Sequence, residues 1–292
     1  MKERPLIIAE IGCNHKGDME VAKKMIEIAA TSIKADVVKF QKRNNKELLT
    51  KNQYYSPHPD PIKSYGKTYG EHREFLEFNL EQHKQLKACC DKFRIEYSVS
   101  VWDVTSAEQM ITLNPRTIKV PSACNLNKKL LSKLIDDFKG EIHLSIGMTS
   151  PKEIEDIVAF FQQERRNKDL ILYSCTSGYP VSMEDVCLQE ITKLKKKYGD
   201  IVKSIAFSGH HFGIAIDIAA MMLGVSHIER HYTLSRAWKG SDHIISLEPA
   251  DFRKLCQDIK DVFKALIYKK NNLLDVENKY RKRLKKNLIY WS

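Results

Sequence analysis

The chain has 292 residues, 42 % of them hydrophobic, which suits one α/β barrel of roughly 250 residues with decorations. It has no run of about 18 apolar residues, so no membrane span is expected, and Met1-Lys2-Glu3-Arg4-Pro5 enters the first strand without a signal-peptide apolar region. Seven cysteines without CxxC spacing read as reduced thiols of a cytoplasmic protein; the net charge of +11 fits a basic tail and steering of anionic substrates, and nucleic-acid binding is not expected, because neither aromatic–basic interleaving nor zinc-finger spacing is present.

Taken in chain order, eight strand-like segments are predicted at 6–12, 35–41, 96–102, 117–122, 141–147, 170–176, 204–210 and 226–233. Amphipathic helical patterns fall between them, near 19–33, 79–93, 105–113, 127–137, 151–165, 184–197 and 214–223, with a last one near 249–267. Strict alternation of strand and helix indicates parallel pairing. Eight units predict a closed (β/α)8 TIM barrel as a single domain over 1–267, followed by a basic C-terminal tail over 268–292. An open doubly wound sheet is the alternative; the lack of GxGxxG after the first strand weakens a dinucleotide-binding version of it. One long irregular segment, 42–78, follows the second strand. It carries Tyr54, Tyr55, His58, Tyr65, Tyr69 and three prolines, Pro57, Pro59 and Pro61, and is expected to cover the barrel mouth.

The chemistry-bearing residues cluster at predicted strand C-termini, which converge on one pocket in a barrel. Lys39, Ser100, Lys119, Ser122, Ser145, Ser177 and Ser208 form a set of cations and hydroxyl donors suited to cradling phosphate. His210 and His231 end the seventh and eighth strands, where two imidazoles can hold a divalent metal. Glu229 lies two residues before His231 on a strand, so both face the same way.

Successive motifs resemble the sialic acid synthases, that is, N-acetylneuraminate synthase and its nonulosonate relatives. Ala9-Glu10-Ile11-Gly12-Cys13-Asn14-His15-Lys16-Gly17 and Asp36-Val37-Val38-Lys39-Phe40-Gln41 are similar to the family's opening. Lys119-Val120-Pro121-Ser122, Leu144-Ser145-Ile146-Gly147-Met148, Cys175-Thr176-Ser177-Gly178-Tyr179-Pro180, Ser208-Gly209-His210, Ile228-Glu229-Arg230-His231, Gly240-Ser241-Asp242-His243 and Ser246-Leu247-Glu248-Pro249 follow in the family's order. The resemblance spans roughly residues 6–265. It implies condensation of phosphoenolpyruvate with an N-acetylmannosamine-like aldose, giving a sialic-acid-like nonulosonic acid and phosphate. It assigns the two lysines and five serines to phosphoenolpyruvate, and His210 and His231 to Mn²⁺, with Mg²⁺ or Co²⁺ as substitutes. Glu10, Asp242 and Glu229 become catalytic candidates, and Gln41, Tyr179 and Asp242 sugar contacts. A homodimer is the implied assembly.

The chain departs from that pattern in four places. Gly209 stands where the family has an aspartate, Cys124 where it has an acid, and Ile146 where it has a threonine. The fourth is the small antifreeze-like domain that follows the family's barrel, which has no counterpart before Ser292; a separately encoded antifreeze-like protein is one expected substitute, and the 42–78 segment another. Two alternative functions remain: synthesis of a different 3-deoxy-2-ulosonic acid, and a catalytically weak phosphoenolpyruvate-binding partner subunit.

Overall fold

A computed structural model describes residues 3–285; Met1, Lys2, Lys286 and the terminal Tyr290-Trp291-Ser292 lie outside them. Eight strands, β1 (Leu6–Gly12), β2 (Val37–Lys42), β3 (Glu96–Val101), β4 (Thr117–Val120), β5 (Glu141–Ser145), β6 (Leu170–Cys175), β7 (Ser204–Gly209) and β8 (His227–His231), pair in parallel. They close in sequence order, with β8 returning to β1, into a TIM barrel. The predicted strand limits hold to within two residues.

Period-two alternation divides each strand between two cores. Ile7, Ala9, Val38, Phe40, Val99, Ile118, Leu144, Leu172 and Ile228 face the surrounding helices in one continuous apolar cluster. The intervening positions face the barrel axis, where a second, small cluster of Ile8, Val37, Ile171, Tyr173 and Ala206 plugs the interior. Above that plug the inward positions turn polar. The register then makes neighbours of the polar ends: Glu10 pairs with Lys39 and with His231, Ser100 with Lys119, and Ser208 with Glu229.

The helices are α1 (Met19–Ile28), α2 (Asn45–Leu48), α3 (Lys51–Tyr55), α4 (Tyr69–Phe75), α5 (Leu80–Phe93), α6 (Val104–Ile111), α7 (Lys128–Asp137), α8 (Pro151–Gln163), α9 (Gln189–Tyr198), α10 (Ala215–Met222), α11 (Pro249–Ala265) and α12 (Asp275–Leu284). Capping explains several starts. Thr50, Thr68, Asn79 and Ser150 each accept from the backbone N–H three residues on, in reciprocal capping boxes. The predicted helix at 184–197 divides into a 3₁₀ turn, Glu184–Val186, and α9.

The 42–78 segment is not irregular, as expected from its prolines and tyrosines, but carries α2, α3 and α4. Polar caps, rather than apolar periodicity, set these short helices. The Tyr65 hydroxyl donates to the Lys239 carbonyl beyond β8, and the Lys239 ammonium sits 5.0 Å from the Tyr65 ring centroid. The segment thus runs from the end of β2 across to the β8 side. In the basic tail, α12 is an exposed helix.

Leu144 is fully buried between β5 and the helical layer. Leu144→Ala should cost about 2–5 kcal/mol, the usual range for a core leucine. Urea unfolding should show a lower midpoint at unchanged slope, while Ile244→Ala, at a half-exposed position, should leave the midpoint almost unmoved.

Candidate active site

The C-terminal ends of the strands open into one cavity of about 430 Å³. Of the sequence-predicted residues, Glu10, Lys39, Gln41, Ser100, Lys119, Ser122, Ser145, Ser177, Tyr179, Ser208, His210, Glu229, His231 and Asp242 all line it.

Its floor is a buried charge network. Lys39 Nζ lies 2.5 Å from Glu10 Oε2 and 3.8 Å from Glu229 Oε1; Lys119 Nζ lies 2.7 Å from Glu229 Oε1. Both lysines are 3 % exposed, so neither charge is stable there without carboxylates. The lysines are therefore not bare phosphate grips, as the sequence suggested, but come already paired. Burial alone would raise the Glu229 carboxyl, but Lys119 and Lys39 outweigh it and hold it down to about 2. Lys39 shows the mirror image: burial pushes its ammonium down, and Glu10 with Glu229 more than reverses this. Lys119 has only the shared Glu229, and burial wins, so its pKa is lowered. It is the cation with the most to gain from a further anion.

Hydroxyls surround this floor. Ser100 Oγ accepts from Lys39 at 2.6 Å, leaving its own proton free, and Ser208 Oγ donates to Glu229 at 3.2 Å. Gln41 Nε2 donates to Glu10 Oε1 at 3.0 Å. Gly147 lets two hydroxyls pack against bare backbone: a Cβ there would stand 2.3 Å from Ser177 Oγ and 2.8 Å from Ser122 Oγ. Both hydroxyls line the same cavity as Lys119, as donors for an anion. Gly12 has φ +54°, and a Cβ on it would come within 3.0 Å of both Gln41 Nε2 and Glu10 Oε1. Glycine is thus required for the β1 bulge that follows Glu10.

His210 and His231 face each other with ring centroids 5.4 Å apart. The His210 Nδ1–H donates to the Thr176 carbonyl at 3.0 Å, which leaves the Nε2 lone pair free. Burial, reinforced by His231, lowers the His210 pKa to about 3, so the ring is neutral. His231 Nδ1 is buried without a partner and lies 4.0 Å from Asp242 Oδ2. A neutral His210 ring of fixed tautomer and an orphaned nitrogen on the facing His231 fit a divalent metal. Among the described residues no group of three or more His, Cys, Asp or Glu is arranged around such an ion, so two protein ligands with open positions is the fitting arrangement. Tyr179 packs against His210, ring centroids 4.4 Å apart. Cys175 stands 4.0 Å from His210, and burial pushes its thiol up to about 11, so it is not a nucleophile.

The departures look different in three dimensions. A Cβ at Gly209 would meet the His211 ring at 2.7 Å, and His211 is held by Arg230, itself paired with Asp217. Packing leaves no room for the expected carboxylate at 209. Ile146 belongs to the outer apolar cluster. Cys124 is buried, and burial raises its thiol to about 11. His243 bonds Thr233 and does not line the cavity.

Sequence reading missed the rim. Cys13, Arg43, His72, Arg73 and Trp102 line the cavity above β1, β2 and β3. Of the residues singled out in 42–78, His58 and Tyr69 reach it, whereas Tyr54, Tyr55 and Tyr65 do not. An arginine in the last turn of a short helix has no periodic signature; only the fold of 42–78 aims it inward.

Comparison with known proteins agrees with this geometry. The NeuB family model matches residues 25–271. The chain is 37 % identical over 288 residues to the N-acetylneuraminate-9-phosphate synthase of Homo sapiens, covering 97 % of this chain and 77 % of the relative. It is 33 % identical to the N,N'-diacetyllegionaminic acid synthase of Campylobacter jejuni, covering 90 % and 78 %. Among solved structures, the N-acetylneuraminic acid synthetase of Leptospira borgpetersenii, in complex with citrate, superposes with a TM-score of 0.79 at 30 % identity, covering 98 % of this chain and 94 % of that one. An eight-stranded barrel with this polar floor, matched along most of its length by one family model and by these relatives, belongs to the NeuB family.

Proposed function

We propose that this chain condenses phosphoenolpyruvate with an N-acetylmannosamine-like aldose, giving a nonulosonic acid and inorganic phosphate. One observation carries the reading: Lys119 and the Ser122–Ser177 hydroxyl pair share a cavity with two facing histidines. The first pair suits an anionic phosphate ester, and the second suits a divalent cation beside a carbonyl. Relatives named as synthases of N-acetylneuraminate 9-phosphate and of diacetyllegionaminic acid support it.

In this reading Lys119 and Lys39 balance the phosphate and carboxylate of phosphoenolpyruvate, while Ser100, Ser122, Ser145, Ser177 and Ser208 direct hydrogen bonds to their oxygens. His210 and His231 would hold the metal, Mn²⁺ by preference with Mg²⁺ or Co²⁺ as substitutes; bound there, it supplies Lewis-acid polarisation of the aldehyde oxygen. C3 of phosphoenolpyruvate forms a bond to the aldehyde carbon as the carbonyl π pair moves to its oxygen, which takes up a proton at the expense of the water that adds at C2, and C2 takes up cationic character. Glu229, held as a carboxylate by Lys119 and Lys39, and Glu10, paired with Lys39, face that developing charge. Water adds at C2, and Asp242 or Glu10 accepts its proton. The resulting tetrahedral intermediate expels phosphate with cleavage of the C2–O bond. Gln41, Tyr179 and Asp242 bind sugar hydroxyls at the open side of the pocket. The 42–78 cover excludes bulk water, which strengthens each of these contacts.

Two measurements test this. Incubation with phosphoenolpyruvate, Mn²⁺ and a panel of aldoses should release phosphate and give a product heavier than the aldose by one pyruvate unit. His231→Ala should abolish that release while circular dichroism stays native; full activity in the variant would remove the histidine pair from the reaction.

Gly147→Ala addresses the two hydroxyls. Its methyl would push Ser177 Oγ and Ser122 Oγ aside, so phosphoenolpyruvate affinity should fall by roughly tenfold or more, the scale of one charged hydrogen bond. Calorimetry showing unchanged affinity would place the phosphate elsewhere.

A further inference from the structure

Behind the two facing histidines lies a buried charge cluster that the reaction does not touch. His210 follows β7 and His231 ends β8, and both line the cavity. Their chain neighbours His211 and Arg230 do not line it. They turn outward and meet Asp217 of α10 instead. Arg230 is 1 % exposed and the other two are 0 % exposed, so the whole cluster is cut off from water.

The guanidinium bonds mostly to one turn. Arg230 Nη2 donates to the His211 carbonyl at 2.5 Å, and Nη1 donates to the Gly213 carbonyl at 2.8 Å. Nη1 also lies 3.0 Å from His211 Nε2 and donates to Asp217 Oδ2. All but Asp217 belong to the turn at 211–213, directly after His210. Strand pairing does not reach that turn. The β7–β8 ladder ends at Gly209 with Arg230, one residue short of both histidines. The Arg230 side chain takes over where the ladder stops. A planar fork can span two carbonyls at once, which a compact ammonium cannot. The His211 ring completes the fit by packing over Gly209, where a Cβ would come within 2.7 Å of it.

A buried ion pair is weak evidence for stability, because an apolar pair of similar volume often packs as well or better. What an apolar pair cannot do is hold two backbone carbonyls in fixed directions. We propose that Arg230, braced by Asp217, is a positioning residue: it ties the His211–Gly213 turn to β8 and so fixes the spacing of the His210 and His231 imidazoles for a divalent cation. The inference rests on the reading of those histidines as the metal pair. Each is one peptide bond from the clamp, His210 through His211 and His231 through Arg230, so slack in the clamp moves one ring against the other. His231 is pinned on its other side, where Glu10 is its β1 neighbour. His210 is therefore the ring that the clamp controls. The Thr176 carbonyl sets the tautomer of His210, and the clamp sets its distance from β8. With two protein ligands, displacing either nitrogen removes half of the chain's hold on the ion.

The test uses the full chain with Mn²⁺ as the probe. Calorimetry gives Mn²⁺ affinity without substrate and phosphoenolpyruvate affinity without metal. Arg230→Lys keeps a charge beside Asp217 but loses the fork to the two carbonyls. Its Mn²⁺ affinity should fall by roughly ten- to a hundredfold, the range for a group that orients a metal ligand, while phosphoenolpyruvate affinity stays unchanged. The Mn²⁺ concentration that half-activates phosphate release with an accepted aldose should rise by the same factor. Excess Mn²⁺ should then restore the rate, a rescue that a merely structural role would not give. The double variant Arg230→Met with Asp217→Leu removes both charges and leaves no unpaired ion in the core. It should weaken Mn²⁺ binding at least as much, and it carries the test if Arg230→Lys fails to fold. Unchanged Mn²⁺ affinity in a folded variant, with binding lost in His231→Ala, would overturn the clamp and leave the metal reading standing. An equal loss of phosphoenolpyruvate affinity would also overturn it, by showing general damage to the barrel. Mn²⁺ binding that survives intact in His231→Ala would refute the metal reading itself, and the inference with it.

Discussion

The buried pairing of Lys39 and Lys119 with Glu10 and Glu229 is the constraint on which the rest of the site depends. These four side chains on four strands form a chain of ion pairs, Glu10–Lys39–Glu229–Lys119, each less than a tenth exposed. Moving such charges out of water costs several kcal/mol apiece, and their mutual attraction offsets this only in good geometry. The barrel supplies that geometry through register, since Glu10 is the strand neighbour of Lys39, and Ser208 of Glu229. A one-residue slip in any of these strands would send its charges into the outer apolar layer. The network therefore specifies register as well as chemistry. It is also unevenly balanced, leaving Lys119 with half a partner and the cavity ready for an anion.

Above that floor the cavity divides by chemistry. One side holds lysine and serine groups, the other the histidine pair with Asp242, and the rim holds arginine and tryptophan. In the proposed reaction the first suits an anionic phosphate ester and the second a polarised carbonyl. The 42–78 segment completes the enclosure. Its capped short helices bring His58, Tyr69 and Arg73 to the cavity, and its Tyr65 anchors it to the β8 side.

Much of this was legible in the sequence, for identifiable reasons. Parallel strands buried on both faces read as apolar runs, so Ile7–Ala9 and Val37–Val38 announced themselves, and the polar residue closing each run marked the cavity. Glu10, Lys39 and Lys119 were found that way, whereas His231 came from the family resemblance. Pairing was not legible: nothing local to Lys119 says that Glu229, 110 residues away, stands 2.7 Å from it. The surroundings of the departures were not legible either: the His211 ring stands where a Cβ at Gly209 would come, and Ile146 belongs to the outer apolar cluster. Arg73 and Trp102 were missed because they reach the cavity only when α4 folds over the end of β3.

The account stands most directly on where phosphoenolpyruvate lies. A crystal structure of the chain soaked with phosphoenolpyruvate and Mn²⁺ measures this. The account predicts phosphate density between Ser122 and Ser177 over Gly147, an anionic oxygen within hydrogen-bond reach of Lys119, and metal density between His210 and His231. Phosphoenolpyruvate bound only at the Arg73–Trp102 rim, with the Lys119–Glu229 pair untouched, would contradict it.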